Sequence, residues 1–135
     1  MIMRNPGLCR ICLLLLILLL PACAGKPTVY TVPLNGAEKV ISLQADSFSF
    51  APSIIRAHQG DRLLLKVTNE AGIRHNLTVR NPRGELIRDV LLPAGETVEV
   101  PLLLTDEGTW EFFCNKPMHE TLGMAGRIEA ASLLQ

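Results

Sequence analysis

The 135-residue chain has no surplus of charge, since 13 Lys and Arg stand against 13 Asp and Glu. A nucleic-acid footprint needs a clustered basic face, and none is present. No segment carries the 3.6-residue apolar period of a long amphipathic helix, and there is no internal repeat. The uninterrupted apolar run at 11–20 falls short of the ~20 residues that span a bilayer. Histidine is scarce, with three in all, and two of the four cysteines, Cys9 and Cys12, fall inside the leading apolar stretch. These shortages rule out an array of metal sites or a disulfide-stapled scaffold and leave few residues to carry chemistry.

What is present begins with that leading stretch. Arg4 and Arg10, a short apolar run and a small-residue site read as an export signal over residues 1–22. Leu20, Pro21, Ala22 and Cys23 resemble the bacterial lipobox, whose cysteine is acylated after cleavage; the alternative is an ordinary signal cut near Ala22 or Ala24. A lone cysteine is a hazard in an oxidising compartment, which favours the acylated reading. The exported chain would then carry 11 basic against 13 acidic residues, a formal charge of −2. With Cys23 acylated, Cys114 has no disulfide partner, and an odd thiol in an exported protein points to a ligand or reactive role.

Residues 23–37 are expected to be the acylated cysteine and its tether, rich in Pro and Gly, with a short edge strand at 28–32. The remainder, 38–135, is expected to be a single domain, large enough to stand without disulfides. Its period is two. Ile41, Leu43 and Ala45 alternate with polar neighbours; so do Leu63, Leu65 and Val67, and then Val98, Val100, Leu102 and Leu104, with Pro101 marking an edge strand. Turn signals at 58–61, 81–84, 93–95 and 106–108 separate the runs. Short strands at this spacing predict an all-β antiparallel sandwich or barrel, and the Glu120 to Met124 region predicts at most one helical turn. His75, Leu77 and Val79 share one face of their strand, and Trp110, Phe112 and Cys114 share one face of theirs. The large apolar partners mark both faces as inward.

The segment CNKPMHETLGM, 114–124, gathers a thiol, an imidazole and two thioethers. Cys114, His119 and Met124 form Cys-x4-His-x4-Met, and His75 is the inward histidine upstream. Two imidazoles, a thiolate and a weak thioether are the donor set of a blue copper site. Thiolate is soft and favours Cu(I), imidazole suits both oxidation states, and a weak axial sulfur raises the potential.

With these residues, "DSFSFAPSIIRAHQGDRLLLKVTN" at 46–69, "HN" at 75–76 and "GTWEFFC" at 108–114, the chain resembles the cupredoxins. Its long ligand loop resembles those of auracyanin and rusticyanin more than those of azurin or plastocyanin. The resemblance covers about Val40 to Ala130. It implies a Greek-key β-sandwich with one copper ion at one end, held by His75, Cys114 and His119 with Met124 as the axial ligand. Asn76 would stand just behind them, its backbone N–H directed at the Cys114 sulfur and its side chain tying the two ligand loops together. Two departures stand out. Asn115 replaces the Ser or Thr that often follows the ligand cysteine, and Met118 replaces the Gly that often precedes the second histidine.

The resemblance implies an electron carrier cycling Cu(II) and Cu(I), not an enzyme; a periplasmic copper delivery or storage protein is the alternative. Copper enzymes of this family need further histidine-rich sites, and only His58 is left over. A dinuclear copper centre would need a second loop cysteine. Zinc suits Cys and His but would not need Met, and a cysteine-protease dyad conflicts with the inward parity of both residues. His58 is expected to be a solvated loop histidine, Trp110 core, Met118 turned away from the metal, and Arg74 and Glu120 solvated. The expected protein is a monomer on the periplasmic or outer cell-envelope face, anchored in the membrane through Cys23, with no nucleic-acid partner. It would meet redox proteins by brief docking near His119, over Ile73, Pro117, Met118 and Leu122.

Overall fold

The structure is a computed structural model that describes residues 26–34 and 38–133. The signal at 1–22, Cys23 and positions 24, 25 and 35–37 of the tether lie outside the described residues. Ten strands follow in order: β1 (Val29–Thr31), β2 (Lys39–Asp46), β3 (Ser49–Ala51), β4 (Ile54–His58), β5 (Arg62–Asn69), β6 (His75–Arg80), β7 (Leu86–Leu92), β8 (Thr97–Leu103), β9 (Gly108–Phe113) and β10 (Ala125–Ala131). They form a six-stranded sheet in the order β1-β4-β10-β9-β6-β7 and a four-stranded sheet in the order β3-β2-β5-β8. No helix occurs among the described residues. This is the expected all-β sandwich, although the pairing is mixed: β1 with β4, β4 with β10 and β2 with β5 run parallel.

The period-two runs become the inner faces. In β2, Ile41, Leu43 and Ala45 are buried and their neighbours are exposed. In β5, Leu63, Leu65 and Val67 are buried, and β8 adds Val100 and Leu102. Across the sandwich they meet Ile55, Leu77, Val79, Leu92, Trp110, Phe112 and Ile128 in one cluster. Each such side chain contributes roughly 1.5–3 kcal/mol on burial, as an upper estimate. Pro101 sits where a missing N–H is tolerated, because β8 is the edge of its sheet. The edge strand expected at 28–32 is β1, and Val32 just after it joins the core.

Gly126 in β10 is required by close packing. A Cβ there would lie 2.3 Å from the Phe112 ring and 2.6 Å from the Ser53 carbonyl oxygen. Phe112 is the Cα partner of Gly126 on β9, and its ring lies edge-on to Phe50 from the other sheet, with centroids 5.6 Å apart. The missing side chain lets a large aromatic fill the core one residue after β10 leaves the 114–124 loop.

Three strand ends meet at one end of the six-stranded sheet: the start of β6, the end of β9 and the start of β10. β9 is antiparallel to both of its neighbours. His75 opens β6, Cys114 follows β9, and the loop carrying His119 and Met124 runs directly into β10.

Candidate metal centre

His75 and Cys114 are fully buried, as the parity of their strands requires. The loop between them and β10 is closed by backbone hydrogen bonds. The Cys114 N–H donates to the Met124 carbonyl at 3.0 Å, and the Met124 N–H donates to the His119 carbonyl at 2.9 Å. The Leu122 N–H donates to the Met118 carbonyl at 2.9 Å, a single helical turn in the expected place. Met118 takes a positive φ of 67° and is 69% exposed, so its thioether is turned to solvent. Met124 is fully buried, and its two backbone bonds fasten it to both Cys114 and His119.

The structure brings three sequence-predicted ligand residues to one point. His75 Nδ1 and His119 Nδ1 are 3.1 Å apart. Cys114 Sγ lies 3.4 Å from His119 Nδ1 and 3.9 Å from His75 Nδ1. A metal about 2.0 Å from each nitrogen and about 2.3 Å from the sulfur would, in trigonal or tetrahedral geometry, place the nitrogens ~3.3–3.5 Å apart and sulfur ~3.5–3.7 Å from each. The observed triangle matches that spacing within a few tenths of an ångström, so the donors fit a transition-metal ion. Two imidazole lone pairs and a thiolate directed at one another repel unless a proton or a cation lies between them, and the buried thiol of Cys114 has no disulfide partner. Among the described residues this is the one cluster of three such donors.

Burial pushes the His75 imidazole below its ordinary pKa; the neighbouring His119 and Lys116 push the same way, and Asp46 opposes them. His75 therefore stays neutral, with a lone pair to donate, further into the acid range. His119 is only half-buried and is the most accessible of the three.

Behind the donors, the Asn115 N–H donates to Asn76 Oδ1 at 3.0 Å, joining the start of β6 to the loop after Cys114. Two neighbours were not legible in the sequence. Asp89 on β7 accepts from both Asn76 and Asn115; its only signal was an acidic residue inside an apolar strand. Phe48, in the two-residue turn between β2 and β3, sets its ring edge-on to His119, with centroids 5.1 Å apart and planes at 88°. Nothing in the spacing of 46–69 linked it to residue 119.

Of the remaining expectations, Trp110 is core, its Nε1 donating to the Asp106 carbonyl at 3.0 Å, and Arg74 and Glu120 are exposed. His58 differs from the expectation of a solvated loop histidine. It ends β4, and its Nδ1 is enclosed, 3.8 Å from Asp61, because Asp61 folds back to accept the His58 backbone N–H at 2.9 Å. Its Cα partner is Ala131 at the far end of β10, away from the loop that opens that strand.

The family model described as a cupredoxin-like domain matches residues 10–128. Among solved structures, dithionite-reduced auracyanin from the photosynthetic bacterium Roseiflexus castenholzii is 17% identical; the match covers 71% of this chain and 99% of that one, with a TM-score of 0.62. Auracyanin A, a "blue" copper protein from the green thermophilic photosynthetic bacterium Chloroflexus aurantiacus, is 17% identical over 70% of this chain and 99% of its own, with a TM-score of 0.62. Auracyanin B is 20% identical over 74% and 93%, with a TM-score of 0.61. At these identities the likeness is one of fold. No curated protein matches the chain significantly.

Proposed function

Because the chain belongs to the cupredoxin-like domain family, we propose that it is a mononuclear blue copper electron-transfer protein. His75, Cys114 and His119 would hold the ion, and Met124 would be the weak axial donor. The observation that carries this reading is the convergence of His75 Nδ1, His119 Nδ1 and Cys114 Sγ within 3.1–3.9 Å of one another, with His75 and Cys114 buried. Copper, when bound, supplies a one-electron Cu(II)/Cu(I) couple. The chain's residues do the rest. Burial of His75 and Cys114 excludes water, which would otherwise compete as a ligand. His75 and Cys114 at strand ends, with His119 in a hydrogen-bonded loop, would be held before the ion arrives, so that either oxidation state would meet the same arrangement. A soft thiolate with two imidazoles suits both states.

His119, half-buried, is the donor residue nearest a partner. Ile73, Pro117, Met118 and Leu122 around it are exposed and would form a small apolar patch suited to brief docking. His58 lies at the other end of β10, which supports a single copper and a carrier role, not an enzyme. Residues 1–22 would export the protein, and an acylated Cys23 would tether a single copy to the membrane at the cell envelope; an N-terminal lipid on the mature protein, sought by mass spectrometry, tests that part.

The deciding experiment is the visible and EPR spectrum of the purified soluble domain with Cu(II). Intense thiolate-to-copper absorption is expected, and Cys114→Ala should abolish it. Colour retained in that variant would refute the ligand assignment.

A further inference from the structure

The donors arrive on separate pieces of chain, and their relative placement depends on what fastens those pieces together. His75 belongs to β6 and Cys114 directly follows β9, and between these strands the register runs only from Thr78 opposite Phe113 to Arg80 opposite Glu111. Beyond Thr78 toward the site, backbone pairing between the two strands stops. The join is made instead by side chains, and they converge on one carboxylate. Asn76 Nδ2 donates to Asp89 Oδ1 at 2.7 Å, and Thr78 Oγ1 donates to the same oxygen at 3.1 Å. Asn115 Nδ2 donates to the other oxygen, Oδ2, at 3.1 Å. Asn76 and Asn115 are the residues next to His75 and Cys114, and they are also bonded to each other through the Asn115 N–H.

We propose that Asp89 is a positioning residue for the metal centre: it clamps Asn76 and Asn115, and through them sets His75 against Cys114. The inference rests on the copper reading above. Asp89 stands opposite Thr78 on β7, so its side chain reaches the sheet face that carries Asn76 and Thr78. A carboxylate accepts at both oxygens and at several lone pairs, which lets one side chain hold the start of β6 and the loop after Cys114 at once. Charge-assisted bonds of this kind are shorter and roughly twice as strong as neutral ones. Asp89 makes no ion pair among the described residues, so its bonding capacity is directed to these three neutral donors. A clamp beside two ligands limits rearrangement between oxidation states, and its negative charge favours the more positive, oxidised state.

The test compares the unsubstituted exported domain with Asp89→Asn and Asp89→Ala, copper-free and copper-loaded. Four quantities are read: amide hydrogen exchange at Asn115 without copper, the rate of Cu(I) loss to excess chelator, the reduction potential, and the copper-free thermal midpoint. Asp89→Ala should speed exchange at Asn115 about fivefold, the opening expected when one net hydrogen bond is lost. It should also hasten copper loss and raise the potential, while the copper-free midpoint falls by no more than the loss of one net hydrogen bond explains, about 4–8 °C. Asp89→Asn keeps one acceptor oxygen and should fall between Ala and the unsubstituted protein in exchange and copper loss. Unchanged exchange, copper loss and potential in Asp89→Ala would overturn the proposal. So would a larger fall in the copper-free midpoint with faster exchange throughout β6 and β7, since that would mark Asp89 as a general support of the sheet. If the unsubstituted protein binds no copper, the copper reading fails by itself, whereas the copper-free exchange still tests the clamp.

Discussion

Phe48 poses a question that magnitudes can decide. It holds a φ of 63°, in the left-handed region that costs a side-chain-bearing residue roughly 1–2 kcal/mol. It is also 37% exposed, so about 125 Å² of a roughly 200 Å² side chain is covered, worth at most about 3 kcal/mol. The edge-on contact with His119 adds about 0.5–1.5 kcal/mol. The contacts outweigh the strain, which is why phenylalanine can occupy a turn position better suited to glycine. Removing the ring should therefore destabilise the protein whichever residue replaces it. The replacements should differ in an unusual order. Ala keeps the strain and loses the contacts. Gly loses the contacts and also the strain, against a backbone-entropy penalty of about 0.5–1 kcal/mol. Phe48→Gly should thus be more stable than Phe48→Ala by about 0.5–1 kcal/mol, or about 2–8 °C in thermal midpoint for a domain of this size. Calorimetry of the copper-free proteins measures it. Phe48→Ala equal to or more stable than Phe48→Gly would refute the strain argument, and either variant matching the unsubstituted protein would refute the packing argument.

Met124→Leu should retain copper and raise the potential, because losing a weak donor disfavours Cu(II), whereas Met118→Leu should leave the potential where it is; voltammetry showing the reverse would swap the two assignments. Leu122→Glu or Met118→Lys should slow electron exchange with redox partners while the copper spectrum stays nearly unchanged, and unaltered kinetics in both would remove this face as the electron port. Gly126→Ala should cost about 1–3 kcal/mol by overpacking, since neither the buried Phe112 ring at 2.3 Å nor the Ser53 carbonyl at 2.6 Å can easily retreat; a denaturation midpoint equal to that of the unsubstituted protein would contradict it.

The parts of this molecule that were legible in the sequence are those set by local period. Ile41, Leu43 and Ala45 declare an inward face by alternation alone, and the same parity placed His75 and Cys114 inside. The donor spacing within 114–124 was legible because a single loop carries three of the four residues. The rest depends on partners distant in sequence. Asn76 and Thr78 have the opposite parity to His75, Leu77 and Val79, yet both are buried, and Asp89 comes alongside them from the next strand. His58 read as a loop residue, but it ends β4 with its Nδ1 enclosed beside Asp61, which folds back onto its backbone N–H. Phe48 lies 71 positions before His119, and no periodicity links a β2–β3 turn to a loop that precedes β10.

Asn115 shows how a departure from a family pattern can be absorbed. A hydroxyl after the ligand cysteine would offer one short donor or acceptor. An amide is longer and brings two donor hydrogens and an acceptor, so it can reach a partner that a hydroxyl could not. Here its Nδ2 extends to Asp89 Oδ2 while its backbone N–H keeps the bond to Asn76 Oδ1. The tie between the ligand loops is retained, and a third strand is drawn into it. That strand, β7, is the outer edge of the six-stranded sheet, where a side chain has room to fold over its neighbour and reach the loop ends. Under the clamp proposed above, Asn115 brings an exposed residue of the edge strand, Asp89, into the fastening, so the rigidity of the centre would rest on that residue as well as on the buried donors.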